Sequence, residues 1–150
     1  MQALQDAVAF PDFQSCPDEY TIDFQHYKTS DGSNFTPSRH WCLLAEIAQV
    51  EFFVRLRLTL RDKSGHHFPL AFYGEDTENV NPADYRVGYT VAILYPQQHG
   101  FLDMTVGIRQ EYMKSIQVIP LSLTTILQTQ IDTVGMSKDG LDARRTQALV

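Results

Sequence analysis

The sequence predicts a mainly β domain, in which an antiparallel sheet of about five strands closes into a small Greek-key barrel. An N-terminal arm and a C-terminal helix are expected to flank this barrel. Apolar and polar residues alternate over 54–61, turn signals separate several short apolar segments, and the hydrophobic period becomes helical only at 121–131. Strands have a side-chain period of two, whereas helices repeat every three to four residues. A small sheet has edges to protect, and closure into a barrel protects them.

The clearest strand signal is the segment VRLRLTLR at 54–61. Its apolar side chains share one face and are predicted to lie in the core: Val54, Leu56, Leu58 and Leu60. Three arginines share the opposite, solvent face: Arg55, Arg57 and Arg61. The apolar segment 41–51 runs directly into this strand, so the two are predicted to form one strand with a bend.

The later segments predict the rest of the barrel. DKSG at 62–65 is a tight-turn signal, with Gly65 free to adopt a positive φ. A second strand follows, and Pro69 within it predicts a sheet edge or a bulge, because proline cannot donate to the ladder. Pro82–Tyr85 is predicted to form one helical turn after Asn81. Further strands are expected at 89–96, within 97–111 and at 115–120.

The predicted division of the chain is an arm at 1–39, a barrel with its helix at 40–134, and a polar tail at 135–150. The arm is aromatic-rich, which argues against disorder, and Tyr20–Tyr27 is a candidate short strand. Trp41 is expected to anchor the start of the domain. In the helix, Ser122 is the predicted N-cap. The helix's apolar positions form a face that packs on the barrel or on a partner: Leu123, Ile126, Leu127 and Ile131.

The composition excludes several classes of protein. The chain has 150 residues and a formal net charge of −6, which argues against a general nucleic-acid coat or an anionic-membrane binder. No apolar run is long enough to span a membrane, and the N-terminus lacks the features of a signal peptide. We therefore expect an intracellular protein, cytoplasmic or nuclear. Cys16 and Cys42 are predicted to be reduced thiols, although a disulfide between them stays open.

The segment RLRLTLRDKSGHHFPLAFYGEDTENVNPADYRVGYTVAILY resembles OB-fold domains of the replication-protein-A type in its layout. In those domains a strand ends in Asp-x-x-Gly, a second strand follows, and a polar connection leads to a fourth strand that opens with Gly-x-x-Val. Here the last pattern corresponds to Gly88–Val91. The resemblance implies an OB-like five-stranded barrel.

A longer stretch, from Trp41 to about Leu127, resembles a domain found in fungal MYND-type zinc-finger proteins. The phrases that carry the resemblance are WCLLAEIAQVEFFVRLRLTLRDKSG, FPLAFYGED, GYTVAILYPQQHGFLDMTVGIRQE and IQVIPLSL. A MYND finger needs a repeated CxxC ligand set, which this sequence does not contain. The resemblance therefore implies the domain without its finger, and we expect neither a metal nor another cofactor.

The arginine strand has two interpretations. In an OB-fold its outer face belongs to the ligand-binding sheet, where cations follow phosphates and aromatic rings stack on bases. Nearby aromatics are available for this role: Tyr73, Tyr95 and Phe101. Alternatively, the arginines form surface ion pairs with Glu46, Glu51 or Glu111, which contribute ~0–1 kcal/mol each.

Other candidate sites have simpler explanations. His66 and His67 are adjacent in an extended segment, so their side chains point to opposite sides and do not share a metal with His26 or His99. The acidic run at 75–78 is interpreted as a solvated connection. No nucleophile or phosphate-loop motif occurs, so an enzyme is not expected, although a small enzyme with a nonstandard site stays open. The sequence favours a non-catalytic binding module for a protein partner, with single-stranded nucleic acid and a homodimer as alternatives.

Overall fold

The computed structural model describes residues 4–133, so the predicted polar tail at 135–150 lies outside the described residues. The strands in the described part are β1 (Tyr27–Lys28), β2 (Thr36–Pro37), β3 (Cys42–Phe52), β4 (Leu56–Asp62), β5 (His67–Phe72), β6 (Thr90–Leu94), β7 (His99–Gly100), β8 (Val106–Gln110) and β9 (Ile116–Ile119). The α-helix is α1 (Leu123–Thr133). Short 3-10 helices occupy Phe13–Ser15, Glu75–Thr77, Pro82–Asp84 and Met113–Ser115.

Seven of these strands form one sheet, in the order β7-β8-β5-β4-β3-β6-β9. The long strand β3 pairs antiparallel with both β4 and β6. The strands β8 and β9 follow each other in the chain, yet β8 pairs in parallel with β5 while β9 pairs with β6 on the other side of the sheet. Together they act as one broken fifth strand that closes the barrel. This connectivity is the OB-like Greek key, so the predicted fold class is confirmed.

The fifth strand is broken at a buried glutamine. Gln110 is 4% exposed, and its Nε2 donates to the carbonyl of Tyr112 and to the Ser115 hydroxyl, at 2.7 Å in each case. These bonds hold the short turn before β9 and satisfy an amide that would be costly to bury without partners. The break and the additional short strand β7 explain why the sheet has seven strands and not the five expected.

The barrel core follows from the alternation in β4. Leu56, Leu58 and Leu60 are each at most 1% exposed, and the side chains between them face outward. Burial of each leucine contributes about 1.5–3 kcal/mol. Trp41 is 1% exposed and its indole N–H donates to the carbonyl of Pro96 at 3.0 Å, so it anchors the domain as predicted.

Two predictions about the segment before β4 are wrong. Segments 41–51 and 52–61 do not form a bent strand, because β3 and β4 are the two arms of an antiparallel hairpin in which Phe52 pairs with Leu56. Val54 lies in the hairpin turn and is 79% exposed, not buried. The sequence did not predict this turn, because Phe53-Val54-Arg55 contains none of the usual turn residues.

The prediction for Pro69 is also wrong, because β5 is an interior strand with β4 on one side and β8 on the other. Proline is tolerated there because the parallel ladder with β8 begins only at Leu70, opposite Ile108. Gly107 lies against Pro69, and a Cβ at that position would come within 2.0 Å of the Pro69 carbonyl oxygen. Glycine is therefore required where β8 approaches the proline. The turn before β5 is as predicted, with Gly65 at a φ of +80°.

The N-terminal arm packs against the barrel through an aromatic side chain and a buried carboxylate. The Phe13 ring stacks on Phe68 with centroids 4.1 Å apart. Asp62 is 3% exposed and accepts hydrogen bonds from the backbone N–H groups of Phe13, Ser64 and His66 at 2.8, 3.0 and 3.0 Å. One carboxylate therefore shapes the β4–β5 turn and fixes the arm to it. The predicted strand at Tyr20–Tyr27 is wrong except for Tyr27, where the short pairing of β1 with β2 begins.

Helix α1 packs on the barrel and forms a second apolar cluster there, which is the first of the two packings predicted for its apolar face. Among its predicted face residues, Leu123 is 5% exposed, and Ile126 and Leu127 are partly buried. The cluster also includes Leu4, Phe10, Cys42, Leu44, Ala92 and Ile119. Of the predicted face, only the side chain of Ile131 lies outside the described part.

The start of α1 is capped as predicted. The Ser122 hydroxyl accepts a hydrogen bond from the Thr125 N–H at 3.1 Å. A carboxylate oxygen of Glu46, from β3, accepts one from the Leu123 N–H at 3.0 Å. The predicted turn after Asn81 is also present, with the Asn81 side chain accepting from the Ala83 N–H.

Cys16 and Cys42 are both buried, free thiols. Burial raises the pKa of each thiol to about 12. Because the thiolate is the reactive form, both groups are expected to be inert in the folded protein. None of the helices within residues 4–133 is long and apolar enough to cross a membrane.

Candidate nucleic-acid interface

The outer face of the barrel at β4, β5 and β8 brings cations and aromatic rings together. Arg57 pairs with Ala71 in the register of β4 and β5, and Ala71 pairs in turn with Arg109 of β8. Both arginines therefore flank one small side chain on the same face. Tyr73 follows the end of β5, and its backbone N–H donates to the carbonyl of Gln110 at 2.9 Å.

Tyr73 is the centre of this face. The Cζ atom of Arg55 lies 3.8 Å from the centroid of the Tyr73 ring, and the Cζ atom of Arg109 lies 4.5 Å from it. Tyr73 is half-buried, whereas both arginines are exposed. Such contacts contribute about 0.5–1 kcal/mol at exposed sites and hold the planar guanidinium groups near the ring.

Phe101 extends the face from the β7–β8 loop. Its ring is 6.4 Å from Tyr73 and within 21° of parallel to it, and the Arg57 Cζ lies 5.5 Å from the Phe101 centroid. We call the set Arg55, Arg57, Tyr73, Phe101 and Arg109 the cation–aromatic face.

The β7–β8 loop is held against the face by Asp103. This carboxylate accepts from the hydroxyl and the N–H of Thr105 at 2.5 and 3.0 Å, and it lies 3.1 Å from an Arg57 nitrogen. The Thr105 hydroxyl, its N–H and then Arg57 hold the pKa of Asp103 below its usual range. Asp103 is therefore ionised near neutral pH and positions Arg57.

The charge of the face is partly compensated. Arg57 is paired with Asp103, and Arg109 Nε is 2.8 Å from Glu111. Arg55 contacts the Tyr73 ring. The paired side chains are 35–49% exposed, so they can exchange a carboxylate for another anion at little cost.

A groove of about 420 Å³ adjoins the face between the β3–β4 hairpin and the segment that follows β5. Its apolar lining includes Leu56, Phe72 and Val80. Glu75 and Glu78 also line it, so this side of Tyr73 is unfavourable for a polyanion.

The structure brings together four of the six residues predicted for a ligand face: Arg55, Arg57, Tyr73 and Phe101. Arg61 lies apart, because it points toward β3 and pairs with Glu46 at 3.0 Å, as the alternative interpretation proposed. Tyr95 also lies apart, with its ring packed edge-on against Trp41 at 5.0 Å and next to His40.

Arg109 was missed from the sequence. Its strand, β8, is short, and its place beside Tyr73 depends on the parallel pairing with β5. The alternation of buried Ile108, exposed Arg109 and buried Gln110 was the available signal. Parallel neighbours that are distant in sequence cannot be identified from alternation alone.

The histidines do not form a metal site in the described residues, which contain no group of three or more metal-ligating side chains. His26 pairs with Asp23 at 2.7 Å, and His99 contacts the Glu19 carboxylate. These two histidines therefore each have a carboxylate partner of their own.

The strand order and the closing broken strand define the chain as an OB-like β-barrel domain. No family model matches the chain, and no curated protein matches it in sequence. Among solved structures, it is similar to a chain of the Schizosaccharomyces pombe Stn1–Ten1 complex, with 13% identity, a TM-score of 0.42, and coverage of 75% of this chain and 78% of that chain.

Two further solved structures are similar at a comparable level. One is Pot1pC of Schizosaccharomyces pombe bound to single-stranded DNA, with 7% identity, a TM-score of 0.45, and coverage of 71% and 95% of the two chains. The other is a replication protein A heterotrimer bound to single-stranded DNA, with 9% identity, a TM-score of 0.38, and coverage of 71% and 81%.

Proposed function

We propose that this chain is a non-catalytic module that binds single-stranded nucleic acid on the cation–aromatic face. The observation that carries the proposal is the contact of two guanidinium groups, from Arg55 and Arg109, with the Tyr73 ring. Phe101 and Arg57 repeat the combination beside it. Proteins that bind single strands combine cations along the backbone with rings on which bases stack.

The location of the face supports the same proposal. In an OB-fold, oligonucleotides bind the face of the second and third barrel strands, between the loops that follow the first and fourth strands. Here those barrel strands are β4 and β5. The β3–β4 turn contributes Arg55, and the loop after β7 contributes Phe101.

The net charge of −6 opposes this function and limits its strength. Affinity is expected to depend on the local arginines and on stacking, which contributes roughly 1–3 kcal/mol per base. Phosphates must compete with Asp103 and Glu111 for Arg57 and Arg109. Binding is therefore expected to weaken steeply as salt is added.

The test is fluorescence anisotropy with a labelled oligothymidylate of about 10 nucleotides in about 50 mM salt. The wild-type chain is expected to bind, and Tyr73→Ala is expected to bind about 5- to 100-fold more weakly. Tyr112→Ala is the matched control, because Tyr112 is 66% exposed and takes no part in the ring and cation–ring contacts of the face. Absence of binding by the wild-type chain at this salt concentration would refute the proposal.

A second candidate, binding of a protein partner, is favoured by apolar side chains at the tips of the two loops. Phe53 and Val54 of the β3–β4 turn are 95% and 79% exposed, and Leu102 and Met104 of the β7–β8 loop are 105% and 90% exposed. Exposed apolar groups of this kind are frequent at protein interfaces.

The two candidates respond to different substitutions. If the loop tips bind a protein, a pull-down from the native lysate is expected to recover a stoichiometric partner with wild type and with Arg55→Gln. The Phe53→Ser/Leu102→Ser variant is expected to lose that partner while it keeps its affinity for the oligonucleotide. Sedimentation of the purified chain separates a homodimer from a complex with another protein. Equal recovery by all variants would contradict this candidate.

A further inference from the structure

Aromatic rings continue from the cation–aromatic face to the N-terminal arm. The Phe101 ring lies 4.7 Å from His99 in an edge-to-face arrangement. The His99 ring lies 6.2 Å from Tyr20 and is tilted by 31° from it. Together with the step of 6.4 Å between Tyr73 and Phe101, these contacts make a continuous series, which we call the ring track: Tyr73, Phe101, His99 and Tyr20.

The arm is held firmly where it joins the ring track. Asp18 forms a parallel bridge with Gln98, and the Glu19 N–H donates to the Gln98 carbonyl at 3.2 Å. The Gln98 side chain in turn donates to three carbonyls of the arm, those of Phe13, Gln14 and Cys16. Tyr20 is therefore attached through its own backbone segment to the strand that carries His99.

Tyr20 presents a ring to solvent at this position. It is 67% exposed, and its hydroxyl donates to the Gly100 carbonyl at 3.4 Å. The contacts at the hydroxyl position the ring, while most of its surface stays accessible. Such an exposed, oriented ring is suited to stacking.

The charges along the ring track are uneven. Arg55, Arg57 and Arg109 lie at the Tyr73 end, whereas Asp18 and Glu19 lie at the Tyr20 end, where Glu19 contacts His99. A phosphate backbone is attracted to the first end only. At the second end the chain can contribute stacking but little electrostatic attraction.

We propose that the N-terminal arm extends the nucleic-acid site, so that a single strand bound at the sheet continues along the ring track to Tyr20. This inference rests on the proposed function. It assigns to the arm a binding role of its own, with phosphate contacts at the sheet end and base stacking alone at the arm end. The acidic side of the groove at Glu75 and Glu78 directs the strand toward Phe101 and away from that groove.

The test compares labelled oligothymidylates of about 4 and about 10 nucleotides on the full chain. A short strand is drawn to the sheet end, where the cations are, whereas the longer strand also extends along the rings to Tyr20. Tyr20→Ala is expected to weaken binding of the longer strand by about 5-fold or more and to leave the shorter strand within about 2-fold of wild type. The salt dependence of binding by Tyr20→Ala is expected to equal that of the wild type, because no phosphate contact is lost.

Two variants serve as controls. Tyr20→Phe keeps the ring but loses the hydroxyl contact with Gly100, so it is expected to bind the longer strand more tightly than Tyr20→Ala does and the shorter strand as the wild type does. Phe24→Ala removes another exposed ring of the arm, one that contacts Phe35 and not the ring track, and is expected to have no effect. Urea unfolding of each variant shows whether the arm stays folded onto the barrel.

The outcomes distinguish this inference from the proposed function. If neither strand binds the wild-type chain, both fail. If both strands bind and Tyr20→Ala matches the wild type on the longer one, the extension is refuted and the sheet site stands. Equal weakening of both strands by Tyr20→Ala, or an equal effect of Phe24→Ala, would also overturn the extension.

Discussion

Arg55 and Tyr73 come from separate turns of the barrel, yet the guanidinium carbon of Arg55 lies 3.8 Å from the centre of the Tyr73 ring. Arg55 ends the β3–β4 hairpin turn, and Tyr73 follows the last residue of β5. The contact leaves the guanidinium group exposed to solvent, where it can pair with a phosphate.

Arg55 is expected to contribute one phosphate contact. Arg55→Gln should therefore reduce the steepness of log K against log salt concentration by about 0.7, the value for one phosphate on a single strand. Arg61→Gln is the matched control, since Arg61 lies on β4, which directly follows Arg55, but pairs with Glu46. Anisotropy titrations at several salt concentrations measure both slopes, and equal slopes for the two variants would exclude Arg55 from the interface.

Asp62 is expected to be essential for stability. Asp62→Asn keeps the size of the side chain but removes a buried negative charge that accepts three backbone hydrogen bonds. Hydrogen bonds to charged groups contribute about 1.5–3 kcal/mol, so the free energy of unfolding should fall by at least that amount. Urea unfolding measures this free energy. The control is Asp84→Asn, at an exposed position, and its free energy of unfolding is expected within about 0.5 kcal/mol of the wild-type value. Similar losses in both variants would contradict this role.

Helix α1 is expected to stabilise the domain through Leu123. Leu123→Ala should lower the free energy of unfolding by about 2–5 kcal/mol, because the side chain is buried against the barrel. Leu121→Ala removes the same atoms from a residue that is 47% exposed and should cost much less. If the two variants unfold at the same urea concentration, α1 does not pack as described.

Stability is expected to fall in alkaline solution because of the two buried thiols. Burial raises their pKa values from 9.0 to about 12, so unfolded thiols ionise at a pH where the folded ones stay protonated. Their contribution is fully present below 9.0 and is lost as the pH rises toward about 12. At pH 10 the loss is roughly 1–2 kcal/mol per thiol. Urea unfolding at pH 7.5 and pH 10 measures the difference in the free energy of unfolding between the two pH values. The Cys16→Ala/Cys42→Ala variant should show a smaller difference. An unchanged difference would contradict this origin.

Most of the barrel could be predicted from local sequence. The alternation at 56–61 identified the central strand, Gly65 identified the turn after it, and the change of period identified α1. The β3–β4 turn was missed because Phe53 and Val54 are residues that normally continue a strand. Its position depends instead on the pairing of Phe52 with Leu56 and on the tertiary closure of the barrel.

The site was predictable where it is carried by neighbouring antiparallel strands or by the connections next to them. Arg57 and Tyr73 could be placed on one face, but Arg109 and Tyr20 reach it through parallel pairing and through the arm. Such contacts between distant segments have no local signal. The resemblance to the domain of fungal MYND-type proteins stays a prediction.

The most direct test of the central claim is a titration of the 15N-labelled chain with an oligothymidylate, followed by NMR. The cation–aromatic face predicts changes in the amide signals of Tyr73, Phe101 and Arg109 and in the side-chain Nε–H signal of Arg55, with the signals of α1 unchanged. Unchanged signals on the face, or changes confined to α1, would contradict nucleic-acid binding at this surface.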